Sequence, residues 1–266
     1  PGLPLDPVRA LLESEDDDHA RGLNVPRAFT VEPPPAYTEV MAENRFEFGV
    51  SLLGSAIALL PYLLRAAREV GHLGVGKGRG GFDLVRINEF NPLNESLRLM
   101  MQPNRVLTPR LQVTHRRVEE EAGLRRAGHV TLKFVTPMRL IEGGRLVQTP
   151  KMGPLLRRLL ERAQNLVEHD RTDPIDPIQR ERWKAEWQRL GQLGDAMDAR
   201  GFTHATRWID VDSYSHARQR ATPIGGFVGE ARWQLDSFDV LVWLLWGQSL
   251  HVGKNAVKGD GYFRVE

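Results

Sequence analysis

The stretch "SLHVGKNAVKGDGYFRV", residues 249–265, decides the fold because "HLGVGKGRGGFDLVRI", residues 72–87, nearly repeats it. Leu73, Val75, Gly76 and Lys77 match Leu250, Val252, Gly253 and Lys254 at a constant offset. Each copy sets a loop rich in glycine and lysine between an apolar helical pattern and a short strand pattern. Self-similarity of this kind is the signature of a tandem duplication.

Around the second copy the periodicities are clear. "HVTLKFVTPMRLI", residues 129–141, reads as a strand, and "EGG" at 142–144 turns it into a short second strand ending at Gln148. Leu155, Leu156, Leu159, Leu160, Ala163 and Leu166 lie on one face of a helix. "RTDPIDP", residues 171–177, breaks it, and residues 178–200 form another helix with Trp183, Trp187 and Leu190 on one side. Residues 203–210 and 226–235 are strands, 238–246 a helix and 261–265 a last strand. With the extra helix and hairpin set aside, the order is strand, helix, strand, strand, helix, strand. That is the split βαβ, ferredoxin-like arrangement.

Around the first copy only the latter half of such a unit is visible. "RFEFGVSLLG", residues 45–54, alternates around Phe46, Phe48 and Val50 as a strand, and residues 55–70 carry Ile57, Leu59, Leu60, Leu63, Leu64 and Ala67 at helical spacing. Pro61 predicts a kink in that helix. Residues 82–87 are a predicted strand, 28–31 a short one, and 88–128 carry no assigned pattern. "ESEDDD" at 13–18 is an acidic run and "VEPPPA" at 31–36 a stiff linker. The fold class is therefore α+β, with tandem ferredoxin-like (RRM-like, βαββαβ) domains over 1–127 and 128–266. A lone strand and helix cannot bury a sheet, so the first unit is expected to draw a partner strand and helix from upstream of Pro1 or from residues 88–128.

Composition narrows the chemistry. The chain of 266 residues is 41% hydrophobic and 26% charged, long enough for two cores and too polar for a membrane protein. Cysteine is absent, which removes disulfides, thiolate zinc sites and cysteine nucleophiles and fits a reducing cytoplasm. The net charge is only +2, so affinity for nucleic acid must come from local patches. One such patch gathers Arg105, Arg110, Arg116, Arg117, Arg125, Arg126 and Lys133, opposed by Glu119, Glu120 and Glu121; a solvated charged face explains it equally well.

Gly71 to Lys77 satisfies G-x-x-x-x-G-K. A nucleotide P-loop would continue with Ser or Thr and run from strand to helix. Here Gly78 follows and the loop runs from helix to strand, so the loop sees the partly negative end of a helix. Phosphate contact then falls to Lys77, Arg79, Lys254 and Lys258, with backbone amides helping where Gly253 and its neighbours let a ligand approach. Successive phosphates, as in RNA, suit this spacing better than one nucleotide. A tight turn is the alternative for either loop.

"TPIGGFVGEARW" from Thr222, the 249–265 stretch, "RFEFGVSLLGSAIALLPYLLRAAREVGHLGVGKGRGGFDLVRI" from Arg45 and "VTLKFVTPMRLIEGGRLV" from Val130 together resemble the CRISPR-associated precursor-crRNA processing endoribonucleases of the RAMP superfamily. The likeness runs from Val25 to the C-terminus. It implies tandem ferredoxin-like domains that bind a CRISPR repeat RNA, and cleavage without metal or cofactor that leaves a 2′,3′-cyclic phosphate. Partners implied are the repeat RNA or crRNA and other CRISPR effector subunits. A non-catalytic crRNA-binding subunit uses the same fold, and a nucleotide-binding enzyme is a third reading. Where family members carry "G-x-G" near a Thr-Phe pair, this chain reads "VKGDGYF", residues 257–263, in which Lys258 adds charge. Members also begin with a further strand and helix near which the general-base histidine lies, and that segment is expected ahead of Pro1.

Attack by a ribose 2′-hydroxyl on the adjacent phosphate needs a base, cations for the phosphorane and an acid for the leaving oxygen. Histidine serves as base without a metal because its ordinary pKa is about 6.5. His251, beside Lys254, and His216 in "DSYSHARQR" are the candidates, with His72 third; a phosphate-binding or structural role is the alternative for each. Tyr214, Ser215, Arg218 and Arg220 join Lys77, Arg79, Gly253, Lys254 and Lys258 as candidate RNA contacts. No carboxylate and histidine cluster has metal-ligand spacing.

Overall fold

A computed structural model describes residues 26–34, 45–75, 78–102, 105–106, 108–125, 128–171, 173, 175–210, 212–215 and 220–266. It divides into two compact units, one built on Leu52–Thr114 and the other on Phe29–Ser51 together with His115–Glu266. The division falls at 51/52 and 114/115, where the sequence reading expects 127/128, because an early strand pair and a helix pack with the later unit.

In chain order, β1 (Phe29–Glu32) pairs with β2 (Gly49–Leu52) in a two-stranded sheet. The predicted strand at 28–31 is thus present, and the one around Phe46 starts three residues later, at Gly49. A 3-10 turn over Gly54–Leu59 leads into α1 (Leu60–Leu73). Pro61 stands in the first turn, where a missing N–H leaves no intrahelical bond unmade. It therefore opens the helix, and the predicted kink gives way to a change from 3-10 to α.

After α1 the chain departs from the expected strand. Val75 and Gly80 exchange backbone hydrogen bonds at 2.9 and 3.0 Å, closing the loop on itself. Residues 82–87 run outside any strand, and β3 (Asn88–Asn91) pairs instead with β4 (Ser96–Leu99). Asn91 and Asn94 side chains accept from Leu93 N and Ser96 N and shape that turn. Glu89 accepts from the amides of Arg110 and Leu111 at 2.8 and 2.6 Å, holding the following segment to the hairpin. A two-residue pair, β5 (Met101–Gln102) with β6 (Arg105–Val106), completes this unit.

The later unit opens with α2 (His115–Leu124) and continues through β7 (Gly128–Met138), the hairpin β8 (Leu140–Glu142) and β9 (Arg145–Val147), α3 (Met152–Asp170), α4 (Pro177–Ala199) and β10 (Phe202–Ile209). A hairpin of β11 (Asp212–Ser215) and β12 (Arg220–Pro223), β13 (Gly226–Leu235), α5 (Phe238–Leu250) and β14 (Phe263–Val265) follow. Four strands form one antiparallel sheet in the order β10-β13-β7-β14. The two central strands are the first and third of the strand–helix–strand–strand–helix–strand series, which is the split βαβ topology.

Alternation fixes which face is covered. Val130, Leu132 and Phe134 of β7, Ala231 and Trp233 of β13, and Phe263 and Val265 of β14 are buried, as are Leu155, Leu156, Leu159 and Leu160 of α3 and Val240, Leu244 and Leu245 of α5. Each such aliphatic side chain contributes about 1.5–3 kcal/mol by leaving water. The inserted α4 lies against α3 through glycines and charge. A Cβ on Gly194 would stand 2.7 Å from Gly153 N, and Arg157 binds Asp195 through two 2.9 Å hydrogen bonds.

Candidate nucleic-acid interface

The second glycine loop joins α5 to β14, which lies beside β7 at the sheet's edge. Ser237 caps the start of α5, and His251 ends it, donating its N–H to Gly247 O at 3.0 Å. The loop then ties itself to the end of β7. Lys254 N donates to Arg139 O at 3.0 Å, Gly261 N to Pro137 O at 2.9 Å, and Tyr262 N to Thr136 Oγ1 at 2.9 Å. Val252 N donates to Gly261 O, and a 3-10 turn over Ala256–Lys258 forms the crest.

Glycine is required at Gly261, where φ is +73 and a Cβ would overlap Val252 O. At Gly259, with φ of +104, a Cβ would lie 2.6 Å from Val31 O, because β1 passes directly beside the crest. Many loop amides are thus turned inward. The amides expected to help with phosphate at this loop are thus largely engaged within the protein, while the Lys254 and Lys258 side chains are exposed.

Under these cations lies Asp260, only 8% exposed, with Oδ2 lacking a hydrogen-bond partner. Burial pushes its carboxyl up to about 6, against the opposing pull of Asn255, Lys258 and Arg139. Arg162 of α3 donates to Leu250 O at 2.5 Å, placing a cation at the negative end of α5. Burial lowers that guanidinium to about 10.

His251 is 0% exposed, stacks on Tyr262 with centroids 5.0 Å apart, and has Nε2 3.8 Å from Glu32 Oε1. Lys254 and His251 therefore do not face one phosphate: the lysine is outside and the imidazole inside. In the earlier loop Arg79 is exposed at φ 47, while Lys77 lies outside the described residues. His216 and Arg218 also lie outside them, and Tyr214, Ser215 and Arg220 are placed by backbone on the β11–β12 hairpin, where Ser215 pairs with Arg220. Among the described residues no group of three or more His, Cys, Asp or Glu side chains could hold a metal ion, and no helix is long and apolar enough to cross a membrane. Sequence reasoning missed Glu32 and Asp260; the first has no local pattern, and the second is flagged only by an acid set among glycines.

The split βαβ sheet with a cationic, glycine-locked loop on its last connection defines an α+β protein of the ferredoxin-like class. Residues 132–263 match the family model of the CRISPR-associated endoribonuclease Cas6, so the chain carries a domain of that family. Residues 6–114 match a family model described as an N-terminal domain. Among solved structures, a Cas6 product complex is 20% identical, with 100% of this chain and 96% of that chain covered and a TM-score of 0.55. A Thermus thermophilus Cas6 is 19% identical, with 100% and 93% covered and a TM-score of 0.50. A partial Cas6-RT-Cas1–Cas2 complex is 15% identical, with 98% of this chain and 42% of that chain covered and a TM-score of 0.52. At these identities the likeness is one of fold. A search of curated proteins gives no match.

Proposed function

We propose that this chain binds the repeat RNA of CRISPR transcripts and cuts precursor crRNA within the repeat. The observation that carries the reading is the exposed pair Lys254 and Lys258 on a loop whose glycines and inward amides leave it one shape. The domain of that family supports RNA cleavage as the reaction. The two lysines hold backbone phosphates, and Lys254 stabilises the phosphorane formed when a 2′-hydroxyl attacks. Arg79 and Lys77 of the earlier loop are further candidate RNA contacts. Tyr214, Ser215, Arg218 and Arg220 contact the RNA, and His216 is the base candidate. Other CRISPR subunits are the protein partners this reading allows.

The burial of His251 favours a second reading, in which the chain holds crRNA without cutting it. Incubating the protein with repeat RNA in EDTA separates the two. A product ending in a cyclic phosphate supports the nuclease, and tight binding with intact RNA supports the holder.

A further inference from the structure

Two side chains far apart in the sequence meet beneath the loop. The backbone of His251 is at φ 53 and ψ 156, a conformation natural to glycine that costs other residues about 1–3 kcal/mol. Gly74 ends α1 in nearly the same conformation, φ 79 and ψ 154, so the helix end itself does not call for a histidine. Both imidazole nitrogens are buried without a hydrogen-bond partner, a further cost of about 1–3 kcal/mol for such a group. A side chain held against both costs acts through what it faces, and it faces Glu32.

Glu32 is itself held in place. Ser51 Oγ donates to Oε1 at 3.1 Å, and across the pair a Cβ on Gly49 would come within 2.7 Å of Oε2. Strand β1, which carries Glu32, runs beside the loop's crest at Gly259. The side chains approach to 3.8 Å where His251 is shut off from water, and polar interactions across such a gap are stronger than in water.

We propose that the half-buried Glu32 and the buried His251 are a pair of positioning residues that fixes the glycine-rich loop against β1, so that Lys254 and Lys258 meet an RNA phosphate in one register. This rests on the reading of the loop as an RNA contact, but the pairing is measurable without RNA. Hydrogen exchange on the full chain would follow the amides of Val252, Lys254 and Gly261, each bonded within the loop or to the end of β7. Glu32→Gln and His251→Gly, the second set on a backbone that suits glycine, should each speed exchange there about tenfold and leave central β7 and β13 unchanged. The double variant should exchange no faster than the faster single variant, because the two residues act as one unit. In parallel, the Kd for a CRISPR repeat RNA should rise about tenfold, 1.4 kcal/mol by the usual conversion.

Unchanged loop exchange in Glu32→Gln, or additive effects in the double variant, would overturn the pairing and leave His251 a packing residue. If the unaltered protein fails to bind repeat RNA, the functional reading falls, while the exchange result still decides the pair.

Discussion

Asp198 of α4 accepts a hydrogen bond from the Trp233 indole N–H at 2.9 Å, and the same carboxylate accepts from the amides of Met152 and Gly153. One side chain thus joins the inserted helix, the start of α3 and the centre of the sheet. A carboxylate on helix-start amides satisfies donors that have no partner within the helix.

Replacing Asp198 by Ala should lower unfolding stability by about 2–4 kcal/mol, through the lost cap and an unpaired buried indole. Denaturant unfolding measures this, and a loss under about 0.5 kcal/mol, the scale of a plain surface change, would show that the carboxylate bears no part of the packing.

Glycines in the fold are not equivalent. Gly261→Ala forces a Cβ into Val252 O at a positive φ, whereas Gly143→Ala at φ +53 meets open space. The first should destabilise by about 3 kcal/mol or more and the second by about 1 kcal/mol. Equal shifts in Tm would refute the close approach at Gly261.

Asp260 sets a pH dependence. Its folded pKa, about 6, is raised above the ordinary 3.8, so the folded state holds this proton more tightly than the unfolded one. The contribution to stability is fully present below the unfolded pKa and is lost as pH rises through about 6. Asp260→Asn should therefore stabilise the protein by about 1–2 kcal/mol near pH 8, with the gain vanishing by pH 4. Thermal melts at the two pH values test the sign, and a gain confined to acid would reverse it.

Changing Lys254 and Lys258 together to Ala should reduce the slope of log affinity against log salt by about one to two units, one for each phosphate that is no longer neutralised. A slope equal to that of the unaltered protein would take this loop out of the RNA interface.

Cleavage, where measured, should persist in EDTA, and His216→Ala should slow single-turnover cutting about a hundredfold while affinity changes little. Lost affinity at an undiminished rate would make His216 an RNA contact, with the base elsewhere.

Strong periodicity made much of the later unit legible. β7, α3, α4, β10, β13, α5 and β14 follow alternation or helical spacing, and the face marked on α3 is the packed one, whereas on α4 Leu190 is buried, Trp183 half-buried and Trp187 exposed, because its contact runs through Leu190, Gly191, Gly194 and Met197. Residues 82–87 alternate well enough for a strand, but a strand exists only where a neighbour offers its backbone, and the hairpin beyond takes that role. The charge-rich α2 and the polar β11–β12 hairpin lack an apolar stripe to announce them. At the candidate site the lysines were legible from charge, whereas the burial of His251 and its approach to Glu32 depend on packing between segments far apart in the sequence.

The docking of β1 beside the crest at Gly259 also sets a clock on biosynthesis. Phe29 and Thr30 are made well before the residues around Ala256–Lys258 that β1 packs beside, which follow every strand of the four-stranded sheet except β14. At about 5–20 residues per second the gap is on the order of ten to forty seconds. Through that interval Phe29 and Thr30, both buried in the finished fold, are without their final cover, so maturation of this loop waits for nearly all of the sheet to be synthesised.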